Sequence, residues 1–144
     1  MMKEKETVFA KIIRREIPSE IVYEDELVLG FLDIHPVNFG HTLLIPKKHY
    51  QNIYELPDSI LGHFFTVVKK LSTAIKKAVQ ADGINVVMNN EPAAGQVVFH
   101  AHVHIIPRFN NDGFKHWKGP RKYEPDEALE TMQKIRDVLE KQNT

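Results

Sequence analysis

The chain has 144 residues, 42% hydrophobic and 26% charged, and Lys plus Arg equals Asp plus Glu at 19 each, for a formal net charge of zero. That size suits one domain with one core, and the charge balance argues against a broad electrostatic footprint for duplex nucleic acid or anionic lipid. There is no cysteine, which excludes disulfides, thiolate nucleophiles and thiolate metal ligands.

The opening MMKEKETVF is charged and lacks the apolar run of a signal peptide. No stretch approaches the roughly 18 apolar residues of a membrane helix. These features predict a cytoplasmic protein with no membrane and no nucleic-acid partner. No linker, repeat or low-complexity segment divides the chain, so residues 1–144 read as a single domain.

In chain order, Thr7–Ile17 carries Phe9, Ile12 and Ile13 at helical spacing and predicts a short amphipathic helix ending before Pro18. Apolar runs at Ile21–Tyr23, Leu27–Leu32 and Thr42–Ile45 are separated by Glu24-Asp25-Glu26 and by Pro36-Val37-Asn38-Phe39-Gly40. They predict an antiparallel meander. Asp58 or Ser59 is positioned to cap a long helix. Its inner face is Ile60, Phe64, Val67, Val68, Leu71, Ile75, Ala78 and Val79, its solvated face Lys69, Lys70, Lys76 and Lys77, and its end is marked by Gly83. A strand at Ile84–Met88 and a loop at Asn89–Gln96 follow, and then a strand ended by Pro107. A helix of about 125–141 begins at Pro125, with Ala128, Leu129, Met132, Ile135 and Leu139 inward. Five mostly antiparallel strands with two or three helices make an α+β domain.

The strand before Pro107 reads FHAHVHIIPRF and spends three of the chain's eight histidines on alternate positions, His100, His102 and His104. Side chains two apart on a strand share a face, roughly 6.6 Å per step. Ala101, Val103 and Ile105 would then face the packing side. Three functions fit such a row. Solvated surface histidines are one. A zinc site is another, with His41, His49 or Asp33 completing the ligands. Phosphoryl or nucleotidyl transfer is the third: an imidazole titrating near pH 6.5 can be a neutral nucleophile while its neighbour serves as an acid.

The stretches HAHVHII, GQVVFHAHVHIIPR, FLDIHPVNFGHTLLIPKKH and VVMNNE resemble, in this order-specific combination, the histidine-triad family. The resemblance runs from about Thr7 to about Trp117, and it is nearest the branch related to nucleoside phosphoramidases. It implies an α+β fold with a five-stranded sheet and two main helices, paired across a homodimer into a ten-stranded sheet. It implies a purine nucleotide or nucleotide conjugate as substrate and no cofactor. His102 would be the nucleophile at the α-phosphorus, held in its tautomer by the carbonyl of His100. His104 would meet the phosphate and leaving group, with His41 packed beside the triad. Gly95, Gln96 and Val97 would cradle the phosphate, with Asn89 at the edge of the site. Asp33 would grip the ribose, and Phe9, Ile12, Phe31, Ile34 and Leu43 would line the purine slot.

Judged without the resemblance, those apolar residues are core, Asp33 ends a strand, and His41 sits in a turn. The sequence departs from the family in three places. Thr7 and Ala10 stand where many bacterial members have zinc-binding cysteines, which leaves only His49 and His100 of that set and predicts no structural zinc. Val97 replaces a serine of the eukaryotic phosphoramidases, and the segment GFKHWKGP and the C-terminal helix differ from the eukaryotic ending. The implied activity is hydrolysis or transfer at the α-phosphate of a purine nucleoside 5′-phosphoramidate or related conjugate. Dinucleoside polyphosphate hydrolysis is the enzymatic alternative, to which Arg108 after HIIP lends some likeness. A nucleotide-binding regulatory module with incidental turnover is the alternative of another class.

Overall fold

In the computed structural model, which describes residues 6–117 and 119–143, a five-stranded sheet forms around the segment Val103–Arg108. This strand, β5, alternates fully: Val103, Ile105 and Pro107 are buried on one face while His104, Ile106 and Arg108 stand on the other. Its neighbours are β3 (Thr42–Pro46) and β4 (Gly83–Val87). Beyond β3 lie β2 (Val28–Leu32) and β1 (Ile21–Glu24), giving the order β1-β2-β3-β5-β4 with every pairing antiparallel. The expected α+β architecture is the one observed.

The two faces of the sheet bury different clusters. On one, the long helix α2 (Asp58–Ala78) lays Phe64, Val67, Val68, Leu71 and Ile75 against Val28, Leu44, Val103 and Ile105. The i, i+3, i+4, i+7 spacing forms a stripe wide enough to cover these strands. Gly30 lets the helix approach: a Cβ there would stand 3.3 Å from Leu71 Cδ1. On the opposite face, the short helix α1 (Val8–Ile13) packs Phe9 and Ile12 against Leu29, Phe31, Leu43 and Ile45. Only part of that second face is covered, and His104 stands on it.

Several boundaries differ from expectation. The first helix stops at Ile13, because Arg15 adopts a positive φ of 61° and the chain leaves the helical path. The cap of α2 is Pro57, with Asp58 as the first helical residue, where its charge suits the positive end of the helix. α2 ends at Ala78 rather than near Gly83; Gln80, at φ 55°, takes the left-handed turn, which frees Gly83 to open β4. Pro107 lies inside β5 instead of ending it. Its carbonyl accepts from Asn38 Nδ2 (2.9 Å) on the side beyond the last β3 pair, Thr42↔Ile105, so no ladder bond is lost for want of an N–H.

The chain divides into two compact units, residues 1–112 and 113–144. The second contains α3 (Glu127–Gln142), none of whose residues is buried. Leu129, Met132, Ile135 and Leu139, expected inward, are exposed. This unit offers α3 no other described helix or strand against which its apolar stripe can pack.

Candidate active site

Only one of the three alternating histidines is on a strand. His100 and His102 precede β5, whose first residue is Val103. They are held by bonds outside the ladder: Ala101 N–H donates to Tyr50 O (2.7 Å), and a His100 ring nitrogen, Nε2, to Pro46 O (2.7 Å). The expectation of three rings on one strand face therefore fails. His100 is turned into the protein at 1% exposure, against the His49 ring with centroids 5.2 Å apart. His102 and His104 remain neighbours, centroids 5.0 Å apart, and both line a cavity of about 510 Å³.

Hydrogen-bond partners fix the tautomer of each ring in turn, since a neutral imidazole has one N–H and one lone pair. A carbonyl only accepts, so His102 Nδ1, 2.7 Å from His100 O, carries the proton, and His102 Nε2 carries the lone pair. Val37 N–H donates to His41 Nδ1 (3.0 Å), so the proton of His41 is on Nε2. That N–H donates to His104 Nδ1 at 2.9 Å, which places the proton of His104 on Nε2. The site thus pairs a bare nitrogen on His102 with an N–H on His104.

Burial is the main reason all three rings prefer the neutral form, because it disfavours the imidazolium. It pushes His41 and His102 below the ordinary imidazole value, against the opposing charge of Asp33. His104 falls furthest, to about 4, since a charge there would also face His102 and His41.

Asp33 follows β2 and is strapped to the turn that delivers His41. Its N–H donates to His41 O (2.9 Å), and its Oδ1 accepts from His35 N–H (2.8 Å). Oδ2 lies 3.6 Å from His41 Nε2. Gly40 permits this turn with φ 102°, a conformation that side chains strain.

Asp33, His41 and His104 offer ligand atoms within 4.8 Å of one another. Their proton arrangement does not suit a cation: a metal needs a lone pair on His41 Nε2, and the bond from Val37 N–H leaves the lone pair on Nδ1 instead. His49 and His100 are likewise engaged, each pointing Nε2 at a carbonyl, Phe99 O (2.8 Å) and Pro46 O respectively.

Of the expected slot residues, Phe9, Ile12, Phe31, Ile34 and Leu43 all border the cavity, as do Asp33, Asn89, Gly95 and Val97. Phe9 meets the His102 ring edge-on at 5.0 Å and Phe31 at 5.5 Å, tying α1 to the histidines. Ile34 is a rim residue at 82% exposure rather than a slot wall. His41, His100 and Gln96 are buried and do not line the cavity. Ile17, Ser19, His35 and Val98 line it without having been singled out in the sequence. Ile17 had a signal, the apolar series of Phe9, Ile12 and Ile13. Ser19 and His35 belong to irregular segments with no periodicity to mark them.

A family model described as HIT domain matches residues 14–111. The chain belongs to the histidine-triad (HIT) family. The crystal structure of a HIT-family protein from Bacillus subtilis superposes with a TM-score of 0.86 at 43% identity, covering 92% of this chain and 96% of that one. The Arabidopsis thaliana protein named adenylylsulfatase HINT3 is 46% identical over 109 residues, 76% of this chain and 55% of its own length. The Candida albicans protein named adenosine 5′-monophosphoramidase HNT1 is 41% identical over 105 residues, 70% of this chain and 69% of its own. Membership places the paired histidines of this HIT protein in a family context, and their tautomers are set by the hydrogen bonds described above.

Proposed function

We propose that this HIT protein is a nucleotide hydrolase that cleaves at the α-phosphate of a purine nucleoside 5′-phosphoramidate or related conjugate, through a nucleotidyl-His102 intermediate. The observation that carries the reading is the bare Nε2 of His102 facing the cavity while its Nδ1 is pinned to His100 O. The names of the Arabidopsis and Candida relatives support the same substrate class. The cavity volume suits a nucleoside, with Phe9, Phe31 and Leu43 against the base and Asp33 Oδ2 toward the ribose hydroxyls.

The anionic phosphate beside His104 favours its protonated form, so the acid proton arrives on Nδ1 with substrate binding, and the Nε2–H of His41 turns from His104 to Asp33 Oδ2, 3.6 Å away. His102 Nε2 forms a bond to phosphorus as the P–N bond breaks, and the departing amine takes its proton from His104. Water then attacks phosphorus, the bond to His102 breaks, and the proton of the water returns to His104. The products are the nucleoside monophosphate and the amine. No metal enters this sequence. The working unit in this reading is a homodimer whose two sheets join edge to edge, β1 and β4 being the outermost strands of each sheet.

The test is AMP release from adenosine 5′-phosphoramidate by metal-stripped protein in EDTA. Release that disappears in His102→Ala, with AMP binding retained, is the expected result. Turnover that needs added zinc would overturn the mechanism. Equal turnover in His102→Ala would remove His102 from the nucleophile's role.

A further inference from the structure

The loop between β4 and the histidines, residues 89–97, forms the wall of the site beside Asn89, Gly95 and Val97. Three successive backbone donors just ahead of Val97 are spent inward. Ala94 N–H and Gln96 N–H donate to Glu91 O (each 3.1 Å), and Gly95 N–H donates to Pro92 O (3.0 Å). Two positive φ angles, 74° at Glu91 and 91° at Gly95, hold this compact turn. Among the described residues, Val97 N–H makes no such inward bond.

Gln96 sits at the centre of the loop and is 4% exposed. Its side chain is engaged in three directions. Oε1 accepts from Glu91 N–H (2.8 Å), and Nε2 donates both to Gln51 O (2.7 Å) and to Val98 O (3.1 Å). Both amide hydrogens are therefore committed. One side chain joins the start of the loop, the segment ahead of the 3₁₀ turn Ile53–Glu55, and the stretch that leads into the histidines.

Resting on the functional reading above, we infer that Gln96 is a positioning residue that touches no substrate: it clamps the loop so that Val97 N–H stays unspent at the cavity, as the donor available to a substrate phosphate. A buried amide with both donors and its acceptor satisfied has no hydrogen left for a phosphate oxygen. Releasing it would leave the carbonyls of Gln51 and Val98 without partners.

The test compares Gln96→Glu with wild type in adenosine 5′-phosphoramidate turnover from pH 5.5 to 8. A carboxylate retains the acceptor for Glu91 N–H but presents negative charge to two carbonyls; a protonated carboxyl restores one donor. Burial raises the pKa of such a group, so the donor returns as pH falls. The variant should lose at least tenfold in kcat/KM at pH 8, and its ratio to wild type should recover toward pH 5.5. A ratio independent of pH, or wild-type activity throughout, overturns the proposal.

A second readout needs no variant. In nitrogen-15 spectra of the wild-type protein, the Gln96 side-chain amide should exchange slowly when free and keep its shifts on AMP binding. Large shifts of that amide would mean direct contact and overturn the clamp. Absence of AMP release by wild type would instead count against the functional reading, and the amide spectra would still decide the role of Gln96.

Discussion

At the residue scale, the proposed attack by His102 needs its Nε2 bare, and burial biases the ring toward that state. The pH dependence follows from the sign of the shift. With its value lowered from 6.5, the ring is neutral at pH 7, and the acid limb of kcat/KM should have its midpoint below 6.5. Asp33 is the charge that resists this lowering for all three rings. Asp33→Asn should therefore move the acid limb to still lower pH and raise KM, both visible in a pH series of initial rates. An unmoved limb would mean that the carboxylate does not act on His102. Thr7 also has a clear local role: its Oγ1 caps α1 by accepting from Ala10 N–H (3.1 Å). Gly40 is constrained twice, by φ 102° and by Val79 Cγ1 at 3.1 Å from where a Cβ would lie. Gly40→Ala should cost about 1–3 kcal/mol of stability in urea melts.

At the scale of elements, α2 fastens the sheet from the face opposite the histidines. Phe64 is fully buried at its centre. Truncation to alanine removes its transfer free energy and leaves a cavity, so Phe64→Ala should destabilise by about 3–5 kcal/mol in denaturant titrations. A loss under about 1 kcal/mol would show that this face repacks freely. The central strands were legible in the sequence because short apolar runs bounded by turn residues mark β2 and β3, and alternation marks β5. The helix ends were less so. Arg15 and Gln80 take left-handed turns normally associated with glycine or asparagine, and no propensity announces that. Nor did the pattern show that the histidine row breaks after His102, because that break comes from bonds to Tyr50 and Pro46, about fifty residues away in sequence.

At the scale of the molecule, three partly or largely buried neutral histidines make folding sensitive to acid. Their folded values lie below 6.5, so the unfolded chain binds protons first and stability falls as pH drops from 6.5 toward about 4. Asp25, lowered to about 2 by bonds from Leu27 N–H, Val28 N–H, His63 and Tyr23 against the opposing effect of burial, loses its contribution in a separate window, from about 4 down to 2. Urea midpoints measured every half pH unit should decline across the upper window, and His104→Gln should flatten that decline; a parallel decline in the variant would assign the effect elsewhere. Among the described residues, no helix is long and apolar enough to cross a membrane. By itself the sequence determined the sheet's strands, the face of α2 and the histidines worth attention, since these depend on short-range periodicity and residue chemistry. Only the tertiary structure decided which nitrogen of each ring is bare, that Gln96 turns inward, and that His100 supports the site from behind. The proton of His104, the inward turn of Gln96 and the seat of His100 depend on bonds to His41, Gln51 and Pro46, 63, 45 and 54 residues away in sequence, while the tautomers of His102 and His41 depend on nearby backbone groups, His100 O and Val37 N–H, whose directions only the folded chain sets.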